Sequence, residues 1–196
     1  MNALIDRPPA YAVANGRRFQ IDTDFRAAVA FEILIEKGEE DALKLLKPFY
    51  PQGLPEDMEG AVAAALWFYR CGEDIPERKE KVANKAPAYS FEFDADVILA
   101  DFWNYYGVDL SNDFLHWWTF RALLAGLPDD SGYKQRIYYR TCETKGLPKG
   151  EQARINRIRK AIAIDRKNNK KLTLEERNAL MLDYVARRSE EAAKEG

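Results

Sequence analysis

Histidine and cysteine are scarce in this chain. Of its 196 residues one is a histidine, His116, and two are cysteines, Cys71 and Cys142. A zinc site usually needs three or four His, Cys or acidic ligands, and a Ser-His-Asp or Cys-His arrangement would have to pass through His116. The cysteines form no CxxC pair, so we expect two free thiols in a reducing compartment.

Long apolar runs and phosphate-binding motifs are also missing. No stretch of about 18 apolar residues occurs, and the opening MNALIDRPPAYAVANG lacks the basic-then-apolar order of a signal peptide. Neither GxGxxG nor the P-loop pattern is present, so nucleotide binding lacks its usual loop. We therefore expect a cytoplasmic protein with no membrane, metal or cofactor partner.

Acid–base catalysis has few candidate residues. They are four aspartates and the one histidine: Asp94, Asp96, Asp101, Asp109 and His116. Asp94 and Asp96 fall in the first turn of a predicted helix, where capping and the helix dipole account for a carboxylate. Asp101 lies in the middle of that helix, and it is either exposed, buried in an ion pair with Arg121 or Arg140, or catalytic. We predict that the protein is not an enzyme.

Turn and helix signals predict a mainly α protein, a helical bundle-like domain with a short N-terminal β-hairpin. Asn15-Gly16 in YAVANGRRFQID suits a two-residue hairpin turn, because both positions need positive φ. Ser111 is expected to cap a helix that ends at Gly126, and Thr173 with Glu176 to open the last helix. The other predicted helices cover about 24–37, 39–47, 57–71, 95–106, 132–143 and 151–165.

Composition divides the chain into four parts. Residues 1–72 hold the hairpin and the first helices, and residues 73–88, EDIPERKEKVANKAPA, are a charged linker or exposed arm with two prolines. Residues 89–165 form an aromatic-core helical region that ends in a basic helix. Residues 166–196 form a C-terminal helix and a tail that frays. One compact domain overall is the alternative.

Aromatic residues are concentrated in one segment. Eleven of the 24 lie between residues 89 and 120. Helical spacing places Ile98, Phe102 and Tyr105 on one face, and the short link GVDLS to the next helix favours antiparallel neighbours. We expect this segment to be the packed centre of an antiparallel helix pair.

Two adjacent tryptophans follow in the same segment. Trp117 and Trp118 lie about 100° apart on a helix, so they cannot both point the same way. Because tryptophan and arginine are enriched in interface hot spots, Trp117 or Trp118 with Arg121 is a candidate protein-contact patch. The alternative is that both tryptophans are packed inside the helical domain.

Charge is segregated along the chain. Residues 134–171 carry 13 basic and 3 acidic residues, whereas residues 1–133 carry 13 and 23. The basic helix presents four candidate partner-binding residues outside its isoleucine face: Arg154, Arg157, Arg159 and Lys160. The basic segment is either a solvated face or a surface for an acidic partner or nucleic acid. No nucleic-acid-binding motif supports the last reading.

The segment DADVILADFWNYYGVDLSNDFLHWWTFRALLAGLPDDSGYKQRIYYR resembles the bacteriophage gene-product-fifteen family. The resemblance to the family lies in the order of the motifs along the chain. An acidic-aromatic helix ending in YGVDL is followed by LHWW, by FRALLAGLPDD and by IYYR, which ends at Arg140. The opening NGRRFQIDTDFR is similar to the start of that family. The resemblance covers most of residues 10–160, and LHWWTFRALLAGL is its most specific part.

This resemblance implies a tail assembly chaperone. The family lies in phage tail-gene clusters, typically just before the tape-measure gene. Such a protein would bind tape-measure and tail-tube proteins in the host cytoplasm and be absent from the mature virion. The alternatives are a structural tail or connector component of the virion and a phage nucleic-acid-binding protein. Self-association, and action as a frameshift extension of a smaller protein, stay open.

Overall fold

A computed structural model describes residues 4–73 and 87–164. The predicted C-terminal helix after residue 165, and nearly all of the predicted linker, lie outside the described residues. The hairpin strands are β1 (Tyr11–Ala14) and β2 (Arg17–Gln20). The helices are α1 (Phe25–Glu36), α2 (Ala42–Leu46), α3 (Met58–Tyr69), α4 (Ala95–Tyr106), α5 (Trp117–Gly126), α6 (Gly132–Thr141) and α7 (Lys149–Ala161). The predicted fold class, mainly α with an N-terminal hairpin, is confirmed.

The chain divides into two compact units. Unit 1 contains, among the described residues, 4–73 and 114–121, and unit 2 contains 87–113 and 122–164. The predicted division kept residues 89–165 together. The structure instead assigns segment 114–121 to unit 1, so a stretch of the aromatic region is part of the N-terminal fold.

The hairpin forms as its Asn-Gly pair predicts. Asn15 and Gly16 have φ values of 51° and 72°, and Ala14 lies opposite Arg17 across the turn. The inner face of the hairpin packs on α3 and buries the side chain of Phe19. A Cβ at Gly60 would lie 2.4 Å from Cζ of Phe19, so the absence of a side chain at Gly60 permits this close approach.

Backbone hydrogen bonds tie segment 114–121 into unit 1. The N–H of Phe25 donates to the carbonyl of Leu115, and the N–H of Trp117 donates to the carbonyl of Thr23, both at 2.9 Å. The rings of Phe25 and Phe120 stack with centroids 4.6 Å apart. These two hydrogen bonds and the ring stack are contacts between residues far apart in the sequence, which helical periodicity does not encode.

Unit 2 is built around α6. Helix α4 packs against α6, and α6 packs against α7. Ile98 and Phe102 are buried as predicted, whereas Tyr105, assigned to the same face, is exposed. No helix of the described residues is both long and apolar enough to cross a membrane.

The second helix of the predicted antiparallel pair begins later than predicted and ends at Gly126 as predicted. Helix α5 begins at Trp117, and the N–H of Ser111 instead donates to Oδ1 of Asp109 at 2.9 Å in the preceding turn. The first half of α5 belongs to unit 1 and the second half to unit 2. The aromatic segment is therefore shared between two cores.

Candidate interaction surfaces

The two adjacent tryptophans are both packed inside unit 1. Trp117 and Trp118 are 1% and 7% exposed. Their indole N–H groups donate at 2.8 Å to the carbonyls of Tyr69 and Phe68, respectively, at the end of α3. Buried tryptophans need a partner for that group, and α3 supplies one for each. Neither tryptophan is therefore exposed for the predicted contact patch, and the alternative of two packed tryptophans holds.

Arg121 is the only surface residue of the predicted tryptophan patch. Its side chain is exposed, and its guanidinium lies 5.8 Å from the ring centroid of Trp117. Burial raises the pKa of the nearby Cys71 thiol, and Arg121 only partly opposes that rise. Cys71 is thus a protonated thiol near neutral pH, not an activated nucleophile.

His116 uses both of its ring nitrogens within unit 1. Nε2 lies 3.0 Å from the carbonyl oxygen of Pro9, and Nδ1 accepts the N–H of Trp118 at 3.1 Å. These contacts assign the proton to Nε2 of a neutral imidazole. Burial lowers the pKa of His116, although the Pro9 carbonyl opposes the shift. Among the described residues no three His, Cys, Asp or Glu side chains come together as a metal site.

Asp94 is a buried ion-pair residue of unit 2. Its predicted capping hydrogen bond is absent, and its carboxylate, with no exposed surface, binds Arg136 and Arg140 instead. Arg140 also donates to the carbonyls of Ala88 and of Ile162, which follows α7. One arginine thus joins the start of α4, the segment before it and the end of α7.

Asp101, another of the candidate acids, is buried and forms no salt bridge with any described residue. Its Oδ1 accepts the N–H of Gly132 at 3.2 Å and its Oδ2 accepts the N–H of Tyr133 at 2.7 Å. These N–H groups belong to the first turn of α6, where no intrahelical acceptor is available and the helix dipole favours an anion. Neither predicted partner, Arg121 or Arg140, pairs with Asp101. The carboxylate fastens α6 to α4.

The basic helix α7 has an inner and an outer face. Ile155 is buried, and Arg159 turns inward, where it donates to the carbonyls of Tyr139 and Cys142 at 2.9 and 2.7 Å. Arg154, Arg157 and Lys160 lie on the exposed outer face. Within the described ranges these three cations have no acidic partner. The structure therefore leaves three of the four predicted cations for a partner and uses Arg159 to dock α7 on α6.

An exposed apolar pair on α4 was missed by the sequence analysis. Trp103 is 57% exposed and Leu99, one turn earlier, is 38% exposed. Their four-residue spacing places both on one face, next to the face of the buried Ile98 and Phe102, and this spacing is the signal that could have found them. Large exposed apolar side chains at neighbouring positions are typical of interaction surfaces.

The described residues form a mainly helical protein of two compact units. In it, Asp94, Asp101 and His116 make hydrogen bonds that hold the structure together. Comparison with known families places the chain among bacteriophage proteins. The family described as Bacteriophage Gp15 protein matches residues 4–164, and the chain belongs to that family. No curated protein and no solved structure matches the chain.

Proposed function

We propose that this protein is a tail assembly chaperone that binds the tape-measure protein in the infected host cell. The observation that carries the proposal is membership of the Gp15 family over residues 4–164. The tail-gene setting implied by the family resemblance supplies the link to tape-measure and tail-tube proteins. In this proposal the protein performs no catalytic step and leaves before the virion is complete.

Two surfaces of unit 2 support a binding role. Leu99 and Trp103 offer exposed apolar area on α4, and Arg154, Arg157 and Lys160 offer positive charge on α7 that no acidic side chain of the described residues neutralises. An amphipathic helix presents both apolar and charged side chains, so its two faces complement surfaces of these two kinds. The charges would speed encounter and restrict partner choice, while the apolar side chains would contribute affinity.

The direct test is co-expression with the tape-measure protein of the same phage. We expect the tape-measure protein to stay soluble and to co-purify with the wild-type chain. Two variants should each reduce the soluble fraction of the tape-measure protein. They are the double variant Leu99→Gln/Trp103→Gln and the triple variant Arg154→Gln/Arg157→Gln/Lys160→Gln. A matched control, Arg7→Gln/Lys47→Gln/Lys145→Gln, removes three exposed cations elsewhere and should behave as wild type.

Two further measurements separate the alternatives. Quantitative mass spectrometry of purified virions should find no stoichiometric amount of the protein, and finding it there would favour a structural tail component. Binding to duplex DNA or RNA that weakens steeply with salt, and that the triple variant abolishes, would favour a nucleic-acid-binding role. Unchanged tape-measure solubility without the protein would overturn the chaperone proposal.

A further inference from the structure

The outer edge of β2 has unpaired backbone groups. Because Asn15 and Gly16 both have positive φ, the turn is of the two-residue type in which Ala14 and Arg17 form the hydrogen-bonded pair. Hydrogen-bonded and non-bonded pairs alternate along an antiparallel ladder. The N–H and C=O groups of Arg18 and Gln20 therefore point away from β1, and within the described residues neither residue bonds to another backbone group on that side.

A groove of about 790 Å³ runs beside this edge within unit 1. Arg18 and Gln20 line one wall, and residues 50–53 and 55–57 line the other. At one end the N–H of Asp22 donates to the carbonyl of Phe49 at 2.8 Å, so the far wall joins the chain just after β2. At the other end an exposed ion pair joins Arg17 and Asp57 at 3.3 Å. The groove therefore follows the strand edge between two fixed points.

We propose that this edge is a peptide-binding site that takes an extended acidic segment of a partner protein as a third strand. Strand addition uses the free N–H and C=O groups of the edge, and side chains at alternate positions set specificity. The site lies in unit 1 and is independent of the chaperone surfaces on α4 and α7.

Charge on the two faces of the hairpin selects the occupant. Arg18 lies on the exposed face, 4.6 Å from the ring centroid of Tyr11, and has no acidic partner in the described part of the chain. A carboxylate directly across the strand from Arg18 would be favourable. On the other face Arg17 is already paired with Asp57, and Glu56 adds a second negative charge to the wall. The bound segment should thus alternate acidic and uncharged side chains.

A second copy of this chain is a poorer occupant. Antiparallel pairing of two β2 edges about a two-fold axis would bring the Arg17-Arg18 pairs of both copies to one short ladder of four residues. In the register in which both edge residues bond, Arg18 of each copy faces Gln20 of the other, so Arg18 gains no carboxylate while four arginines lie close together. The same charges that repel a second β2 strand attract an acidic one.

The probe is a fluorescein-labelled eight-residue peptide of alternating valine and glutamate, added to the full chain. We expect saturable binding by fluorescence anisotropy, and none for the peptide of alternating valine and lysine. In amide NMR spectra of the wild-type protein, the Arg18 and Gln20 signals should shift and become protected from exchange when the acidic peptide binds.

Variants test the site itself. Arg18→Glu should weaken binding by about tenfold or more, because it places a like charge opposite the carboxylate. Lys145→Glu makes the same charge change on an exposed residue of unit 2 and should leave the affinity unchanged. Absence of binding at millimolar peptide, binding without amide shifts at Arg18 and Gln20, or equal affinity in both variants would each overturn the proposal. So would sedimentation data showing a dimer that the acidic peptide does not dissociate.

Discussion

Arg140 holds Asp94 with a two-pronged ion pair inside unit 2. Nη1 of Arg140 donates to Oδ2 of Asp94 at 2.6 Å and Nη2 donates to Oδ1 at 2.8 Å, while Arg136 donates a third hydrogen bond at 2.8 Å. The Asp94 side chain has no exposed surface and that of Arg140 is 5% exposed. The carboxylate is thus surrounded by donors, and removing it would leave a buried cation without its counter-charge.

Asp94→Asn is expected to destabilise the protein severely. Breaking a buried ion pair by removing one partner costs about 3–5 kcal/mol, because the remaining charge stays desolvated. The free energy of unfolding from urea titration measures the loss. Asp96→Asn, two residues later on the exposed side of α4, is the matched control and should change stability by no more than about 0.5 kcal/mol. Equal losses in the two variants would contradict this assignment.

The same ion pair predicts a loss of stability in acid. Burial alone would raise the pKa of Asp94, but hydrogen bonds from Arg140, Arg136 and the Ser90 N–H outweigh it and hold the pKa below its usual range. The contribution is therefore fully present above the unfolded-state pKa of about 3.9 and is lost as pH falls through the lower folded-state pKa. The stability difference between wild type and Asp94→Asn should shrink as the pH falls below about 4. A constant difference over that range would argue against the pair.

His116 predicts a second pH dependence, in a separate window. Its folded-state pKa lies below the unfolded value of about 6.5, so the unfolded chain takes up the proton first as pH falls. Stability should therefore decrease below about pH 6.5 until the folded-state pKa is reached. His116→Gln keeps a side-chain donor for the Pro9 carbonyl and should remove this component. Parallel stability curves for the two proteins between pH 7 and pH 5 would refute it.

Truncation of two tryptophans should change the free energy of unfolding by very different amounts. Trp117→Ala empties a buried site and is expected to cost about 3–5 kcal/mol. Trp103→Ala removes a mainly exposed side chain and should change stability by about 0.5 kcal/mol or less. Under the proposed function, Trp103→Ala should weaken tape-measure binding while the protein stays folded. Chemical unfolding and co-purification measured on both variants separate packing from binding, and a large stability loss for Trp103→Ala would contradict its surface role.

Local signals were sufficient where neighbouring residues decide the structure. The Asn15-Gly16 turn and the start of α6 at Gly132 follow from short-range backbone and capping preferences. Helix α4 has the predicted bounds for the same reason. The family could also be read from the order of its motifs, because that order is a property of the sequence.

Long-range partners could not be read in this way. Asp94 has the position of a helix cap but becomes a buried anion, because α6 brings two arginines to it from more than forty residues away. Arg159 is one of the four candidate partner-binding cations of the basic helix, yet the packing of α7 on α6 turns its side chain inward to carbonyl oxygens. Periodicity gives the face of a helix but not which element covers that face.

By itself, the sequence determined the helical class, the hairpin and the phage family, because turn geometry, caps and apolar spacing act over a few residues. Tertiary structure alone decided that segment 114–121 joins unit 1, that both adjacent tryptophans are buried by the end of α3, and that Leu99 and Trp103 stay exposed. The physical reason is that burial and charge pairing depend on which distant surfaces meet. That choice is made by the packing of the whole unit and not by any single segment.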